Sequence, residues 1–116
     1  MQVLVDTDYL IEVEKGRAEL PRAQVMISIT LYEFIRGRSD YSEAKSKLEK
    51  SLLAVYRTND VLLKAVEMCR DLKRRGELID ERDLLIAATA IALGIPLKTK
   101  SIAHYQRLTR YGLKLA

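Results

Sequence analysis

The chain has 116 residues, enough for one domain with a substantial hydrophobic core, and we expect a single domain over residues 1–116. Hydrophobic residues make up 48% of the sequence and low-complexity runs are missing, which excludes a disordered chain. No uncharged apolar run is long enough for a membrane helix, and the first residues lack the features of a signal peptide. We therefore expect a cytoplasmic protein, and the single cysteine, Cys69, which cannot form an internal disulfide, fits that expectation. The net charge of +4 is compatible with a polyanionic partner.

Predicted strands and helices alternate through the N-terminal half of the chain. Hydrophobic periodicity predicts a strand over 2–5, a helix over 7–15, a strand over 25–29, helices over 31–36 and 42–51, and a short strand over 53–56. The first strand stops at Asp6. Thr30 is predicted to be the N-cap of the helix over 31–36, with Glu33 at the capping-box position.

The C-terminal half continues this alternation. A helix starts at Asn59 or Asp60 and ends before Gly76, and its predicted apolar stripe is Val61, Leu62, Ala65, Val66, Cys69 and Leu72. The following elements are a helix over 83–93, a strand over 95–99, a short helix over 101–108 and an edge strand over 113–115. Alternating strands and helices pair in parallel through right-handed crossovers, so we predict an α/β three-layer sandwich with a mostly parallel central sheet.

The predicted helix over 83–93 is apolar on every side apart from Asp83 and Thr89, so it belongs inside the domain. Free backbone N–H groups and the helix dipole at its start favour the ionised form of the Asp83 carboxylate. The simpler alternative is an acidic first turn, in which Asp80 is the N-cap and Asp83 takes the capping-box position.

Three acidic residues from distant parts of the chain are predicted to meet at one edge of the sheet. Asp6 ends the first strand, Glu33 lies one turn beyond the second, and Asp83 starts the central helix. Open parallel sheets bind ligands at the carboxyl ends of their strands, where these residues fall. Gathered carboxylates repel one another unless a cation neutralises them or one carboxyl is held protonated. If a cation is bound, oxygen ligands alone suit Mg²⁺ or Mn²⁺. Such an ion favours phosphate chemistry, because it can activate a water.

Four segments resemble, in this order, the successive motifs of PIN domains, most closely the VapC toxins of prokaryotic toxin–antitoxin systems. They are VDTDYLI at 5–11, ITLYEFIRG at 29–37, DLLIAATA at 83–90 and LKTK at 97–100. The resemblance implies a Mg²⁺- or Mn²⁺-dependent endoribonuclease that forms a homodimer and is silenced by a VapB-type antitoxin. It assigns Asp6, Glu33 and Asp83 as catalytic and metal-binding acids, with Thr7 and Thr99 as supporting hydroxyls.

One position departs from the family pattern. Many members carry a fourth acid, or an asparagine, where this chain has Ser101, which leaves the binding of a second metal ion open. Asp8 and Asp80 are candidates to contribute through a water instead. A role as helix cap is the alternative for each.

Five basic residues are candidates for contacts to RNA phosphates, and ordinary surface charge is the alternative for each. They are Arg36, Lys98, Lys100, Arg107 and Arg110. His104 is interpreted first as a structural residue and second as a general acid.

Two other functions stay open on the sequence. Asp6-Thr7-Asp8 after the first strand is similar to the start of the haloacid-dehalogenase phosphatase motif, although a later acid pair and room for a cap domain are missing. The other is a catalytically weak or inactive PIN-like protein that only binds RNA or antitoxin, to which Ser101 points. Incubation with single-stranded RNA, with and without a divalent metal, distinguishes these functions.

Overall fold

The computed structural model describes residues 2–22, 24–51, 53–55 and 59–116. The strands are β1 (Val3–Val5), β2 (Gln24–Ile27), β3 (Leu53–Val55) and β4 (Leu97–Lys98). The helices are α1 (Thr7–Glu14), α2 (Ser28–Ile35), α3 (Tyr41–Ser51), α4 (Asn59–Arg74), α5 (Glu81–Leu93) and α6 (Ile102–Tyr105), and a 3₁₀ helix spans Gln106–Tyr111. Tyr56, the last residue of the predicted third strand, lies outside the described residues. Within those residues, no helix combines the length and the apolar character needed to cross a membrane.

The sheet has the strand order β3-β2-β1-β4, and these strands pair in parallel. Parallel neighbours need crossover connections, which the helices supply. The predicted edge strand over 113–115 is reduced to a single parallel bridge between Leu97 and Leu115. Because the strands run in one direction, the residues that follow β1 and β4 reach the same edge of the sheet.

Two hydrophobic clusters cover the two faces of the sheet. Leu4 and Val5 are both fully buried, and successive strand residues point to opposite faces, so each belongs to a different cluster. Leu4 shares its cluster with residues of α4, α5 and the 3₁₀ helix. Val5 shares the smaller cluster with Leu10 of α1 and Leu31 of α2. Helices on both faces confirm the predicted three-layer α/β sandwich.

The predicted boundary between the second strand and its helix is wrong. β2 ends at Ile27 and α2 begins at Ser28, so Thr30 lies inside the helix and is not its N-cap. Three of the four residues from 27 to 30 are β-branched, which favours a strand locally. Packing favours the helix instead, because Ile29 packs against the larger cluster while Leu31 enters the smaller one.

Helix α5 is the buried central helix that the sequence predicts, but it begins at Glu81 rather than at Asp83. The Asp80 carboxylate accepts a hydrogen bond from the backbone N–H of Arg82 at 3.0 Å, so Asp80 is the N-cap. Gly94, with φ of 68°, ends the helix in the left-handed conformation that glycine favours. Asp83 therefore lies in the first turn of a capped helix.

The apolar stripe of α4 is partly wrong. Its buried residues are Val61, Ala65, Met68 and Leu72. Leu62 and Val66 are 47% and 52% exposed, although both were assigned to the stripe. The spacing of the buried residues follows the helical repeat, and the sequence does not reveal which of two neighbouring apolar rows faces the larger cluster.

The predicted helix over 101–108 is split into α6 and the 3₁₀ helix, whose last residue is tied to α4. The Tyr111 hydroxyl donates to Asp71 at 2.6 Å, and Arg74 and Arg75 also bind that carboxylate, at 2.7 and 2.9 Å. Bonds from Tyr111 first, and from Arg75 and Arg74, lower the pKa of Asp71 from 3.8 to about 2.

We expect Asp71→Asn to lower the melting temperature at neutral pH. A carboxylate whose pKa is lowered by folding stabilises the protein above pH 3.8, and this stabilisation is lost as the pH falls through about 2. Thermal unfolding of wild type and variant across this pH range is the measurement, with Glu67→Gln, on an exposed face of the same helix, as control. A melting difference that persists unchanged at the lowest pH contradicts the prediction.

Candidate active site

A cleft of about 500 Å³ is lined by acidic side chains from three segments of the chain. Asp6 follows β1 directly and is the N-cap of α1, Glu33 lies in α2, and Asp83 lies in the first turn of α5. The other lining residues are Thr7, Asp8, Ile11, Arg36, Arg82, Ser101, His104 and Tyr105. The structure thus places the three acids predicted from the sequence in one cleft.

Asp6 is buried, with 7% of its surface exposed. One carboxylate oxygen accepts from the backbone N–H of Thr7 at 2.8 Å, and the other accepts from the hydroxyls of Thr99 and Tyr105 at 2.9 and 3.2 Å. Burial, and next the negative charge of Asp8, raise the pKa of Asp6, while these hydrogen bonds oppose the shift. Asp6 is therefore a desolvated acid that a nearby cation would stabilise.

The hydroxyl of Tyr105 joins Asp6 to Asp83. It lies 3.2 Å from an oxygen of Asp6 and 3.1 Å from an oxygen of Asp83, on a ring that is almost completely buried. Burial and the charges of the two carboxylates raise the pKa of Tyr105, so the hydroxyl stays protonated and donates. The second oxygen of Asp83 lies 2.8 Å from Nε2 of His104.

Glu33 is held by a hydroxyl on one side and by an arginine on the other. Its Oε1 accepts from the Thr7 hydroxyl at 3.2 Å, and its Oε2 lies 2.6 Å from Nη1 of Arg82. The Glu33 side chain is 10% exposed and that of Arg82 is 44% exposed. Glu33 therefore already has a cationic partner.

Asp8 fastens the loop between β4 and α6. Its carboxylate accepts from the Ser101 hydroxyl at 2.8 Å and from the Lys100 backbone N–H at 3.1 Å. Thr99 lies 3.3 Å from both of its oxygens. The Asp8 carboxylate thus lies directly beside Ser101. Ser101 is the residue that stands where many members of the resembled family have a fourth acid.

The chemistry of the cleft suits a divalent cation. Its acids offer carboxylate oxygens, the ligands that Mg²⁺ and Mn²⁺ prefer, and burial, followed by the charge of Asp8, raises the pKa of Asp6. In the described part of the chain, no three His, Cys, Asp or Glu side chains are arranged to hold a metal ion. Glu33 is instead paired with Arg82. The types of donor atom in the cleft therefore fit Mg²⁺ or Mn²⁺. A metal site formed by the three acids stays a prediction.

The remaining predicted residues lie in different places. Asp80 caps α5, and of the basic candidates Arg36 lines the cleft. The Lys98 ammonium lies 5.4 Å from the centre of the Tyr9 ring, and Lys100 pairs with Glu12 at 2.8 Å. Two basic residues belong to the 3₁₀ helix, Arg107 and Arg110, and Arg110 pairs with Glu77 at 3.1 Å.

Two polar residues of the cleft, Arg82 and Tyr105, were not recognised as site residues from the sequence. Arg82 directly precedes Asp83, which places it on the same first turn of α5, and this was the available signal. The hydroxyl of Tyr105 has no such signal, because its contacts to Asp6 and Asp83 span 99 and 22 residues.

Known proteins similar to this chain are ribonucleases of one family. The chain is 39% identical to ribonuclease VapC1 of Methanocaldococcus jannaschii over 98% of this chain and 86% of that protein. It is 31% identical to a VapC ribonuclease of Pyrococcus furiosus over 73% of this chain and 60% of that protein. No protein-family model matches the chain.

Solved structures with the same fold also include VapBC complexes. A chain in the structure of VapBC-1 from nontypeable Haemophilus influenzae superposes with a TM-score of 0.85 at 27% identity, covering 100% of this chain and 97% of that one. A chain of DNA-bound VapBC from Salmonella typhimurium has the same fold, with a TM-score of 0.82 at 21% identity. The coverage is 100% of this chain and 97% of that one.

A small parallel α/β sandwich with an acidic cleft at the carboxyl edge of its sheet defines the PIN-domain class of proteins. Within that class, the identity over nearly the whole chain shows that this protein belongs to the VapC ribonuclease family. The resemblance inferred from four short motifs is thereby confirmed.

Proposed function

We propose that the protein is a metal-dependent endoribonuclease that hydrolyses RNA phosphodiesters as the toxin of a toxin–antitoxin pair. One observation carries the proposal: in a chain of the VapC ribonuclease family, Asp6, Glu33 and Asp83 line a single cleft. Carboxylates from three remote segments repel one another in a single cleft, which destabilises the fold. A reaction that needs a bound cation explains why they are gathered there.

Asp6, Glu33 and Asp83 are the residues that would hold Mg²⁺ or Mn²⁺, which would supply an activated water and offset charge on the phosphoryl oxygens. In the reaction, a water oxygen forms a bond to phosphorus and the bond from phosphorus to one ribose oxygen breaks. The attacking water loses a proton and the departing ribose oxygen gains one, so atoms and charge balance.

The chain's own hydrogen bonds orient the acids for this role. Thr99 donates to Asp6, and the Tyr105 hydroxyl lies between Asp6 and Asp83, where its single proton is donated to one carboxylate at a time. Thr7 fixes Glu33. Such outer partners set the direction of ligand oxygens and limit the rotations that would otherwise oppose ligand binding.

A VapB-type antitoxin is the proposed partner. The solved relatives from Haemophilus influenzae and Salmonella typhimurium are VapBC complexes, the second of them bound to DNA. The former aligns with the whole of this chain, which supports a partner of the same type. Homodimer formation stays a prediction.

The experiment is cleavage of a labelled single-stranded RNA by the purified protein. We expect cleavage with Mn²⁺ or Mg²⁺, none with EDTA, and recovery when excess Mn²⁺ is added. The reason is that the side chains of the cleft supply no metal ion that could activate a water. Cleavage that is insensitive to EDTA contradicts the proposal. Hydrolysis of a small phosphate monoester instead of RNA favours a phosphatase, and RNA binding without cleavage favours an inactive member.

A further inference from the structure

The cleft contains an arginine, Arg82, that neighbouring acids hold at both its backbone and its head group. Arg82 occupies the second position of α5, where its backbone N–H is bound by the Asp80 carboxylate at 3.0 Å. Its guanidinium is bound at 2.6 Å by Glu33 and lies 3.6 Å from Asp80. An arginine held at both its backbone and its head group has lost much of its side-chain freedom before any ligand arrives.

Part of the guanidinium remains available. The group carries five N–H donors in one plane, and its pairing with Glu33 uses Nη1. The side chain is 44% exposed and lines the cleft, whereas its partner Glu33 is 10% exposed. Arg82 thus lines the cleft with Nη1 bound to Glu33, Nη2 3.6 Å from Asp80, and further N–H donors that Glu33 does not use.

The charges of the cleft require such a cation. Four carboxylates line it, those of Asp6, Asp8, Glu33 and Asp83, and together they repel an RNA phosphate. The lysine and arginine side chains among its described lining residues are Arg36 and Arg82. Arg82 is the one of these two that is paired with a cleft acid in the described structure. With Ser101 in place of a fourth acid, a cation supplied by the protein is a direct alternative to a second metal ion.

We propose that Arg82 is a catalytic residue that binds the scissile RNA phosphate, taking the charge-neutralising role of a second metal ion. Glu33 orients the guanidinium so that its remaining N–H donors face the cleft, where they bind non-bridging phosphate oxygens. The bidentate geometry of guanidinium matches a phosphate, and the charge that develops on those oxygens as water attacks strengthens the contact. This inference deepens the proposed nuclease function and rests on it.

The first measurement is RNA binding in EDTA, which needs neither metal nor turnover. We expect Arg82→Ala to weaken binding of single-stranded RNA and to reduce the slope of log affinity against log salt by about 0.7, the value of one phosphate contact. The matched control is Arg74→Ala, because Arg74 is also an arginine bound to a carboxylate, at 2.7 Å, and lies on α4 away from the cleft lining. An equal loss in both variants overturns the proposal.

The second measurement is single-turnover cleavage with Mn²⁺. We expect Arg82→Ala to slow cleavage by about 10²-fold or more, Arg82→Lys to retain part of the rate, and added guanidinium ion to rescue the alanine variant in part. Faster cleavage in Arg82→Ala overturns the proposal, since it would show that the Glu33 pair restrains the enzyme. Arg74→Ala is expected to cleave at the wild-type rate.

The third measurement is Mn²⁺ affinity by calorimetry without RNA. We expect Arg82→Ala to bind Mn²⁺ at least as tightly as wild type, because the variant frees Glu33 from its ion pair. Weaker Mn²⁺ binding overturns the proposal, since Arg82 would then act by positioning a metal ligand. If wild type cleaves no RNA under any metal condition, the proposed function fails, and the EDTA binding result still decides whether Arg82 contacts phosphate.

Discussion

Asp6→Asn is expected to reduce RNA cleavage by about 10³-fold or more, because it removes a buried charge at the centre of the proposed metal site. Asp83→Asn is expected to have an effect of similar size, since Asp83 shares the Tyr105 hydroxyl with Asp6. Both substitutions keep the size of the side chain and an oxygen that can accept a hydrogen bond. The measurement is the single-turnover rate with saturating Mn²⁺, compared with wild type.

The loss of activity is expected without loss of stability. The pKa of Asp6 is raised in the folded protein, so its contribution to stability is complete below pH 3.8 and is lost as the pH rises through the folded value. At neutral pH the ionised side chain therefore lowers the free energy of unfolding, and asparagine removes that cost. Asparagine is also as good an N-cap for α1 as aspartate. In EDTA, Asp6→Asn is expected to melt above wild type at pH 7, and the difference to shrink below pH 3.8.

The control is Asp60→Asn, the same substitution at an exposed acid in the first turn of α4. It is expected to cleave RNA like wild type. If Asp6→Asn or Asp83→Asn retains wild-type activity, the acids of the cleft do not carry the reaction. If a variant is inactive and also melts well below wild type, its loss of RNA cleavage is due to unfolding. That result would contradict the stability prediction.

The fold could be predicted because the periodicity of apolar residues changes clearly between strands and helices. Residues 3–5 and 95–97 are short apolar runs, and both overlap strands of the parallel sheet. The wrong boundary at Ser28 has a different origin. Local β-branched preference extends the strand to 29, and only the packing of Ile29 and Leu31 on two separate clusters shows that the helix has already begun.

The sequence predicts which acids the topology of the sheet brings to one cleft, but it does not predict the contacts between their side chains. Asp6 and Asp83 follow from where strands end and helices begin, and their shared cleft follows from the parallel sheet. Side-chain contacts between remote segments do not follow from such rules. The ion pair between Arg82 and Glu33 joins residues that are 49 positions apart. The sequence therefore does not show that Glu33 is paired with an arginine, and only the three-dimensional structure does.

Leu72→Ala is expected to lower the free energy of unfolding by about 2.7–5 kcal/mol, because Leu72 is fully buried in the larger cluster and its truncation leaves a cavity. For a chain of this length the corresponding fall in melting temperature is about 10 °C or more. Leu62→Ala is the matched control on the same helix. Leu62 is 47% exposed, so its truncation is expected to cost about 0.5 kcal/mol or less.

The pair tests which face of α4 packs into the larger cluster, since the apolar stripe predicted from the sequence contained both leucines and the structure buries only Leu72 of the two. Denaturant unfolding is measured in EDTA at two protein concentrations. An assembly that covers Leu62 would make stability depend on concentration, because association stabilises by mass action. Equal destabilisation by both variants, independent of concentration, would show that Leu62 is buried within one chain and that the orientation of α4 differs from the one described.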